Sequence, residues 1–410
     1  MSVSIIGGGL TGCLIALELA EAGHKVVLFD RASELMARAS FANEGKIHLG
    51  FVYAADTSFQ TARRMIDDAL RFRPLLERWI PSRVFEAMIY DRFDYFVPHS
   101  SMLSVKAINA HFGKVIQYLN VQTNRNAASY LGRRDFAPVS PSAPPHDTLQ
   151  ALFHTPEQGV WPASIAEEIR RCVHSHPRVD IRLDTTVTKI RPQKQQWHLD
   201  LMPSDKAEQT TEGPFETVIN CAWAGRRHLD AASGHPDHAQ WFYRYKFGVV
   251  LSNARAAFGG ALPRNSTAML GAYGDSVYCA AQDSLYCSWY PVGMCFSCAE
   301  LVSDQPPRLD DHEAAILKTW QGYATIDPTF KTLLETQPIS KARIVGDYIA
   351  AKAKTDIQDP NSRLHERHGY GAMQLAPGYW SVETGKYTSA ARCAEDCVRA
   401  ILEREPCSGF

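Results

Sequence analysis

The sequence predicts an α+β protein in which an α/β domain opening on a βαβ unit is joined to a second domain built on a mixed, largely antiparallel sheet. Three observations carry this expectation. An apolar run, a glycine-rich turn, a helical pattern and a second apolar run follow one another within about the first 30 residues. From about residue 240 to 300 the text is strand-rich, with many aromatic residues. Near its end the chain returns to a strand, a glycine and a strongly amphipathic helix.

The elements follow in order. Val3 to Ile6 is a short buried strand, and GGGLTG follows at once. Leu14, Leu17 and Leu19 mark a helix that stops at Gly23. KVVLFD is a second buried strand ending in Asp30. A simple doubly wound domain would next offer another helix and strand. RASELMARASFANEGKIHLG instead reads as a loop of small and polar residues. A helix is expected over Thr57 to Trp79, a strand-like segment over Val84 to Val97, and a Pro/Ser-rich loop over Arg133 to His146. GVWPASIAEEIRRCVHSH is a helix entered through Pro162. VDIRLDTTVTKIRP and WHLDLMP are short strands, and ETVINCAWAG is another, ending in Gly225. A helix near His312 to Gly322 interrupts the strand-rich region, YWSVETG is the last strand, and KYTSAARCAEDCVRAIL is the closing helix.

Composition narrows the function classes. The 410 residues suffice for two packed domains, and 45% hydrophobic with 21% charged residues is ordinary globular usage. Lys and Arg number 43 against 44 Asp and Glu, so no basic excess points to nucleic acid. No run of about 18 apolar residues suggests a membrane span. The opening SVSIIGGG leaves no room for a basic region and cleavage site before the first motif, so a cytoplasmic location is expected. Ten cysteines read mainly as buried thiols. Cys279, Cys287, Cys295 and Cys298 form a loose cluster that zinc or an iron–sulfur centre would have to bind without a second CxxC pair, so core thiols are the expectation and no metal is assigned.

The first turn carries the chemistry. In Gly7-x-Gly9-x-x-Gly12, Gly7 permits the tight turn, Gly9 lets a pyrophosphate approach the backbone, and Gly12 lets the helix pack on the strand. Leu10 and Thr11 begin the helix, whose N–H groups and dipole face the phosphates. Asp30, with Arg31 beside it, ends the second strand where a carboxylate accepts from ribose hydroxyls; an acid there disfavours the 2′-phosphate of NADP. FAD and NAD share this Rossmann fingerprint. The departure from doubly wound order after Asp30, the three-strand insertion before ETVINCAWAG and the C-terminal strand–Gly–helix unit favour FAD.

On these motifs the chain resembles the D-amino-acid oxidase superfamily of FAD-dependent oxidoreductases, which includes glycine oxidase, sarcosine oxidase and glycerol-3-phosphate dehydrogenase. ARASFANEGKIHLG resembles the segment passing the flavin phosphates and ring edge, with Ser40, Asn43, Glu44 and Gly45 in the matching places. TTVTKI resembles the strand whose backbone, near Val187, touches the adenine. VINCAWAG resembles the V-x-N-A-x-G strand, placing Cys221, Ala222 and Gly225 near the ADP part. SVETGKYTSAA resembles the C-terminal flavin segment in its GGK-x-T-T form, with Gly385, Lys386, Tyr387 and Thr388. The resemblance implies a Rossmann-type FAD domain of the glutathione-reductase-like type and a substrate domain with a mixed, largely antiparallel sheet. The expected division gives residues 1–80, 150–235 and 340–410 to the FAD domain, and 81–149 and 236–339 to the substrate domain.

At the flavin, Gly385 lets backbone approach the ring, and Lys386 with a helix N-terminus would stabilise the anionic reduced flavin. There is no second GxGxxG and no CxxxxC near the first helix, so the electron donor is expected to be a small-molecule substrate. Arg244, Lys246 and Arg343 read either as structural ion pairs or as clamps for a substrate carboxylate. Tyr278, Tyr286, Trp289 and Tyr290 read as core or as substrate wall, and His48 as structural or as a group near the ring. Lys386, His48 and Arg343 are the candidate catalytic residues. The expected activity is oxidation of a CH–NH or CH–OH bond in a small, carboxylate-bearing molecule by hydride transfer to non-covalent FAD, with oxygen or another electron acceptor. Two alternatives stay open: a dehydrogenase of a hydroxy acid or polyol phosphate feeding a quinone or carrier protein, and a flavin-bound binding protein without turnover.

Overall fold

The computed structural model describes residues 1–204, 208–261, 263–301, 305–357, 359 and 361–403. Its first layer is a six-stranded sheet in the order Gly371–Ala376, Tyr379–Glu383, Thr217–Asn220, Ser2–Ile6, Lys25–Phe29, Val179–Arg182. All neighbours are parallel except the pair at the first edge. Val3, Ile5, Val26 and Leu28 are fully buried, as strands covered on both faces require. One face carries the helices Leu10–Glu21, Pro162–Ser175, Gln60–Leu76 and Ala390–Leu402. The other carries an antiparallel sheet of Thr185–Gln193, Gln196–Pro203 and Thr210–Phe215, which buries Val187, Ile190, Trp197 and Leu199 against Ile6 and Phe29.

A nine-stranded sheet forms the other half of the molecule, antiparallel except where Ser266–Ala268 runs parallel to Asp94–Pro98. Its longest strand, Trp241–Ser252, pairs with Ala342–Lys352 along one edge and with Ser284–Cys287 and Met294–Cys298 along the other. Alternation decides its faces. Val249 and Leu251 pack under Trp320 and Tyr323 of the helix His312–Ala324, while Lys246 and Tyr286 face the opposite way. A small sheet of Lys46–Ile47, Gln158–Val160 and Ile89–Tyr90 joins the two halves. Among the described residues no helix is long and apolar enough to cross a membrane.

The α+β class and the mixed, largely antiparallel second sheet are present as the sequence predicts. Local differences have physical causes. Within the expected strand over 84–97, Ser82–Glu86 is a short helix entered through Pro81, and strand begins only at Ile89. Val105–Arg125 is a 21-residue helix that the sequence reading leaves without an element. The strands Leu149–His154, which the expected boundary at 149/150 splits, and Ala342–Lys352, expected with the FAD domain, both belong to the nine-stranded sheet.

Candidate active site

An elongated cavity of about 510 Å³ runs from the first glycine turn to the nine-stranded sheet, a size within the usual range for ligand pockets. Backbone builds its first end. Gly7 has φ +103°, and a Cβ there would lie 2.6 Å from the Cys221 carbonyl oxygen. A Cβ on Gly12 would lie 1.9 Å from the Gly7 oxygen, so the helix meets the strand too closely for any side chain. Gly9 differs: a Cβ there would meet only the Ser40 hydroxyl, at 3.1 Å, and would project over the cavity. No side chain caps the helix at Gly9, and the Leu10 N–H donates to Ser40 Oγ at 2.9 Å. Asp30 accepts from the Gly8 N–H at 2.6 Å and the Ala32 N–H at 2.8 Å. Burial pushes its carboxyl above the usual range against these two bonds.

Side chains build the other end. The segment from Asn43 to Tyr53, the C-terminal turn from Thr384 to Thr388, and the strands bearing Lys246 and Tyr286 meet there. Gly385 adopts φ +72° against the Tyr370 ring, which a Cβ would strike at 2.3 Å. Thr388 accepts from the His48 N–H at 2.9 Å and so locks the two flanking segments together. Lys46 is buried, donates to Thr267 Oγ1 and Asp275, the latter at 2.8 Å, and lies over the Phe93 ring. Burial lowers its basicity, but Asp275, Glu157 and Glu44 outweigh that and raise it. Burial likewise pushes Glu44 up, yet the His48 contact and the Lys246 and Lys386 ammoniums hold it well below the usual carboxylate range. The Lys386 amine is lowered to about 8, first by desolvation, with Glu44 opposing and Arg367 and Arg244 reinforcing the shift.

Behind this end stand two buried guanidiniums. Arg244 donates to Tyr290 Oη at 3.0 Å and lies 3.7 Å from Asp356. Arg367 donates to the Ala350 carbonyl at 2.9 Å, and burial together with Arg244 lowers it to about 10. Among the described residues, the Arg244 Nε and the buried Tyr53 hydroxyl have no hydrogen-bond partner.

The sequence candidates fall into place unevenly. Gly7, Gly9, Leu10, Thr11, Gly12, Asp30, Arg31, Ser40, Asn43, Glu44, Val187, Cys221, Ala222, Gly225, Gly385, Lys386, Tyr387 and His48 all line the cavity. Gly45 and Thr388 lie behind its wall: a Cβ on Gly45 would meet the Val160 oxygen at 1.9 Å, and the Thr388 side chain is fully buried. Arg343 is elsewhere, exposed on its strand with its guanidinium over Phe41. Of the aromatic stretch, Tyr286 lines the cavity, Tyr290 supports Arg244, Tyr278 binds Asp283, and Trp289 packs by Tyr323. Cys279 and Cys287 are buried in strands while Cys295 is exposed, and among the described residues no His, Cys, Asp or Glu side chains converge as metal ligands. Sequence reading missed Lys46, Tyr53, Glu157, Asp275 and Arg367. Each lies outside a recognisable motif core or far along the chain from its partners; the only local signal was charge within otherwise apolar strand text at Lys46 and Asp275.

Comparison with known proteins adds the family. Residues 2–262 match the DAO family, described as FAD dependent oxidoreductase. The chain belongs to this family. As a DAO-family member it is an FAD-dependent oxidoreductase, and the glycine cradle, Asp30 and the Lys386 turn fit that cofactor. The chain is 37% identical over 93 residues to an FAD-dependent monooxygenase of Fusarium mangiferae, covering 22% of this chain and 25% of the relative. It is 43% identical over 51 residues to a D-amino acid dehydrogenase of Neisseria meningitidis, 12% of each chain. These matches span a quarter or less of the curated relatives' length. Across whole chains the fold is that of iminodiacetate oxidase from Chelativorans sp. BNC1, with TM-score 0.63 and 14% identity over 100% of this chain and 97% of that one. Glycine oxidase from Geobacillus kaustophilus gives TM-score 0.62 and 13% identity over 100% and 96%. L-α-glycerophosphate oxidase from Mycoplasma pneumoniae, solved with FAD bound, gives 0.61 and 14% over 98% and 95%.

Proposed function

We propose that this DAO-family protein holds FAD non-covalently along the cavity and oxidises a CH–NH or CH–OH bond of a small carboxylate-bearing molecule. In this reading the Gly7–Gly12 turn takes the pyrophosphate, Asp30 the ribose, the strand at Val187 the adenine, and Lys386 with Tyr387 the ring end. Bound FAD supplies the hydride acceptor. The protein's own groups orient the substrate, exclude water and receive the proton that leaves nitrogen or oxygen.

One observation carries the substrate class. Desolvation depresses both Arg367 and Lys386, and neighbouring cations add to it: Arg244 acts on Arg367, and Arg367 and Arg244 act on Lys386. Asp356 and Glu44 offset part of this positive charge, and an anion placed among the three cations would relieve more of it. The Arg244 Nε and the Tyr53 hydroxyl, buried behind the cavity wall and without a partner among the described residues, add unused donor capacity at this end. The relatives named for glycine, iminodiacetate and D-amino acids are consistent with this class.

The test is anaerobic mixing of the purified protein with a panel of amino acids and 2-hydroxy acids, followed by admission of air. Bleaching of the flavin band by a carboxylate-bearing member, but not by its amide, supports the reading. Rapid return of colour in air identifies oxygen as acceptor; slow return points to a separate carrier. Equal bleaching by acid and amide overturns the carboxylate assignment. In Arg367→Met, losing a charged hydrogen bond of about 1.5–3 kcal/mol raises KM roughly ten- to a hundred-fold.

A further inference from the structure

Glu157 belongs to no motif of the chain and lies outside the cavity lining, yet it is fully buried beside the candidate site. It follows the strand Leu149–His154 through the turn at Thr155 and Pro156 and opens into Gln158–Val160, which pairs with Lys46–Ile47. Its carboxylate accepts from the Leu49 N–H at 2.5 Å and from the Tyr95 hydroxyl. It then faces the His48 ring, with Oε1 3.8 Å from Nδ1. That nitrogen is buried and has no hydrogen-bond partner among the described residues. On the other side of the ring, Nε2 lies 3.8 Å from Glu44, which lines the cavity. The imidazole thus spans from a sealed carboxylate to the cavity wall.

We propose that Glu157 is a positioning residue: it fixes the Nδ1–H tautomer and orientation of His48, so that Nε2, on the Glu44 side of the ring, is left free to take a proton at the cavity wall. The inference rests on the reading above, in which His48 borders the reacting atoms. A carboxylate behind a histidine selects its tautomer and offsets the charge that arrives with a proton. Bound FAD would supply the acceptor for the substrate's C–H hydrogen and its electron pair, and the proton released from the O–H or N–H bond would pass to His48 Nε2. The imidazolium so formed sits between Glu157 and Glu44.

The surroundings support the assignment. Burial alone would push the Glu157 carboxyl up, but His48, Lys46 and the Tyr95 hydroxyl outweigh it and hold it below the usual range. A buried carboxylate kept ionised is an effective acceptor for Nδ1–H. Other groups around the ring are Tyr53, whose ring packs at 5.8 Å, and Thr388, which holds the backbone of His48. Lys386 lies over Tyr53 from the cavity side. The ring is therefore confined just beyond the strand Lys46–Ile47, and a closure of under an ångström would complete the Nδ1–H bond to Glu157.

The experiment is NMR of nitrogen-15 histidine-labelled, FAD-loaded protein, with the His48 signals assigned by their loss in His48→Asn. The expected wild-type spectrum of the neutral ring shows His48 with its proton on Nδ1 and none on Nε2. In Glu157→Gln the Nδ1–H signal moves upfield because a neutral acceptor replaces the carboxylate, while flavin content stays at the wild-type level. In Tyr95→Phe, where Glu157 loses a competing donor, it moves downfield; this variant keeps the test open where Glu157→Gln fails to fold. An Nε2–H tautomer in the wild type, or a signal unmoved by these substitutions, overturns the proposal. The spectrum reports on Glu157 without turnover, so failure of the substrate panel with an intact Nδ1–H response would sink the substrate reading and leave this one standing.

Discussion

The two ends of the cavity are built by different means. At the glycine turn the wall is mainly backbone: three glycines, a helix N-terminus and one carboxylate come from the first 30 residues, with Ser40 and the Cys221 turn beside them. At the far end it is side chain, brought from Lys46 and His48, from Lys246 and Tyr286, and from Lys386, with Glu157, Arg244 and Arg367 behind. A backbone cradle tolerates only glycine at points of close approach, so it writes itself into a contiguous motif. A side-chain site needs only that distant residues converge. Strands and turns with many sequences achieve that, so little of it reads as a pattern.

The comparison predicts unequal consequences for mutation. Gly9→Trp fills the space over the first turn, and we expect complete loss of flavin, read as a colourless protein with unchanged circular dichroism. A yellow Gly9→Trp protein with full FAD content would move the cofactor away from the turn. Asp30→Ala has a smaller effect, weakening FAD by about 1–3 kcal/mol, the scale of a lost charged hydrogen bond. Titration of apoprotein with FAD checks it, and equal affinity would remove Asp30 from the site.

At the side-chain end the expected signature is a pH response. The Lys386 amine is lowered to about 8, so in the cofactor-free protein it is an ammonium below that pH and neutral above it. An ordinary lysine stays charged to about 10.4. Acetylation of Lys386, followed by peptide mass analysis, should therefore run ahead of exposed lysines at pH 8 and converge with them above about pH 10. Bound FAD should protect it. The smallest effect is expected at Arg343, which is exposed and outside the cavity. Arg343→Ala should leave flavin content and turnover within about twofold of wild type, as surface substitutions usually do. A large loss there would mean that the nine-stranded sheet contacts the substrate through its other edge.

Much of the architecture could be read directly. The strand–turn–helix–strand at the N-terminus, the helix entered through Pro162 and the C-terminal amphipathic helix each declare themselves by local period and stop signals. The helix Val105–Arg125 was readable in principle. Ile108, Phe112, Val115 and Leu119 recur at helical spacing behind the Ser104 cap, which accepts from the Ala107 N–H. Ser82–Glu86 was not, because five residues cannot establish a period and its apolar Val84 and Phe85 also suit a strand.

By itself, then, the sequence showed the α+β class and a glycine turn of dinucleotide-binding type, because backbone geometry restricts residue type there over a short span; FAD rather than NAD was read from the order of elements and the family resemblance. Only the tertiary structure decided that Lys246 and Tyr286 face the cavity while Val249 and Leu251 face a helix, since that follows from which side of a strand meets which layer. The same holds for Glu157 behind His48 and for Arg367 beside Arg244, residues more than a hundred positions apart. Their meeting is set by strand pairing across the whole chain, and no local rule of spacing encodes it.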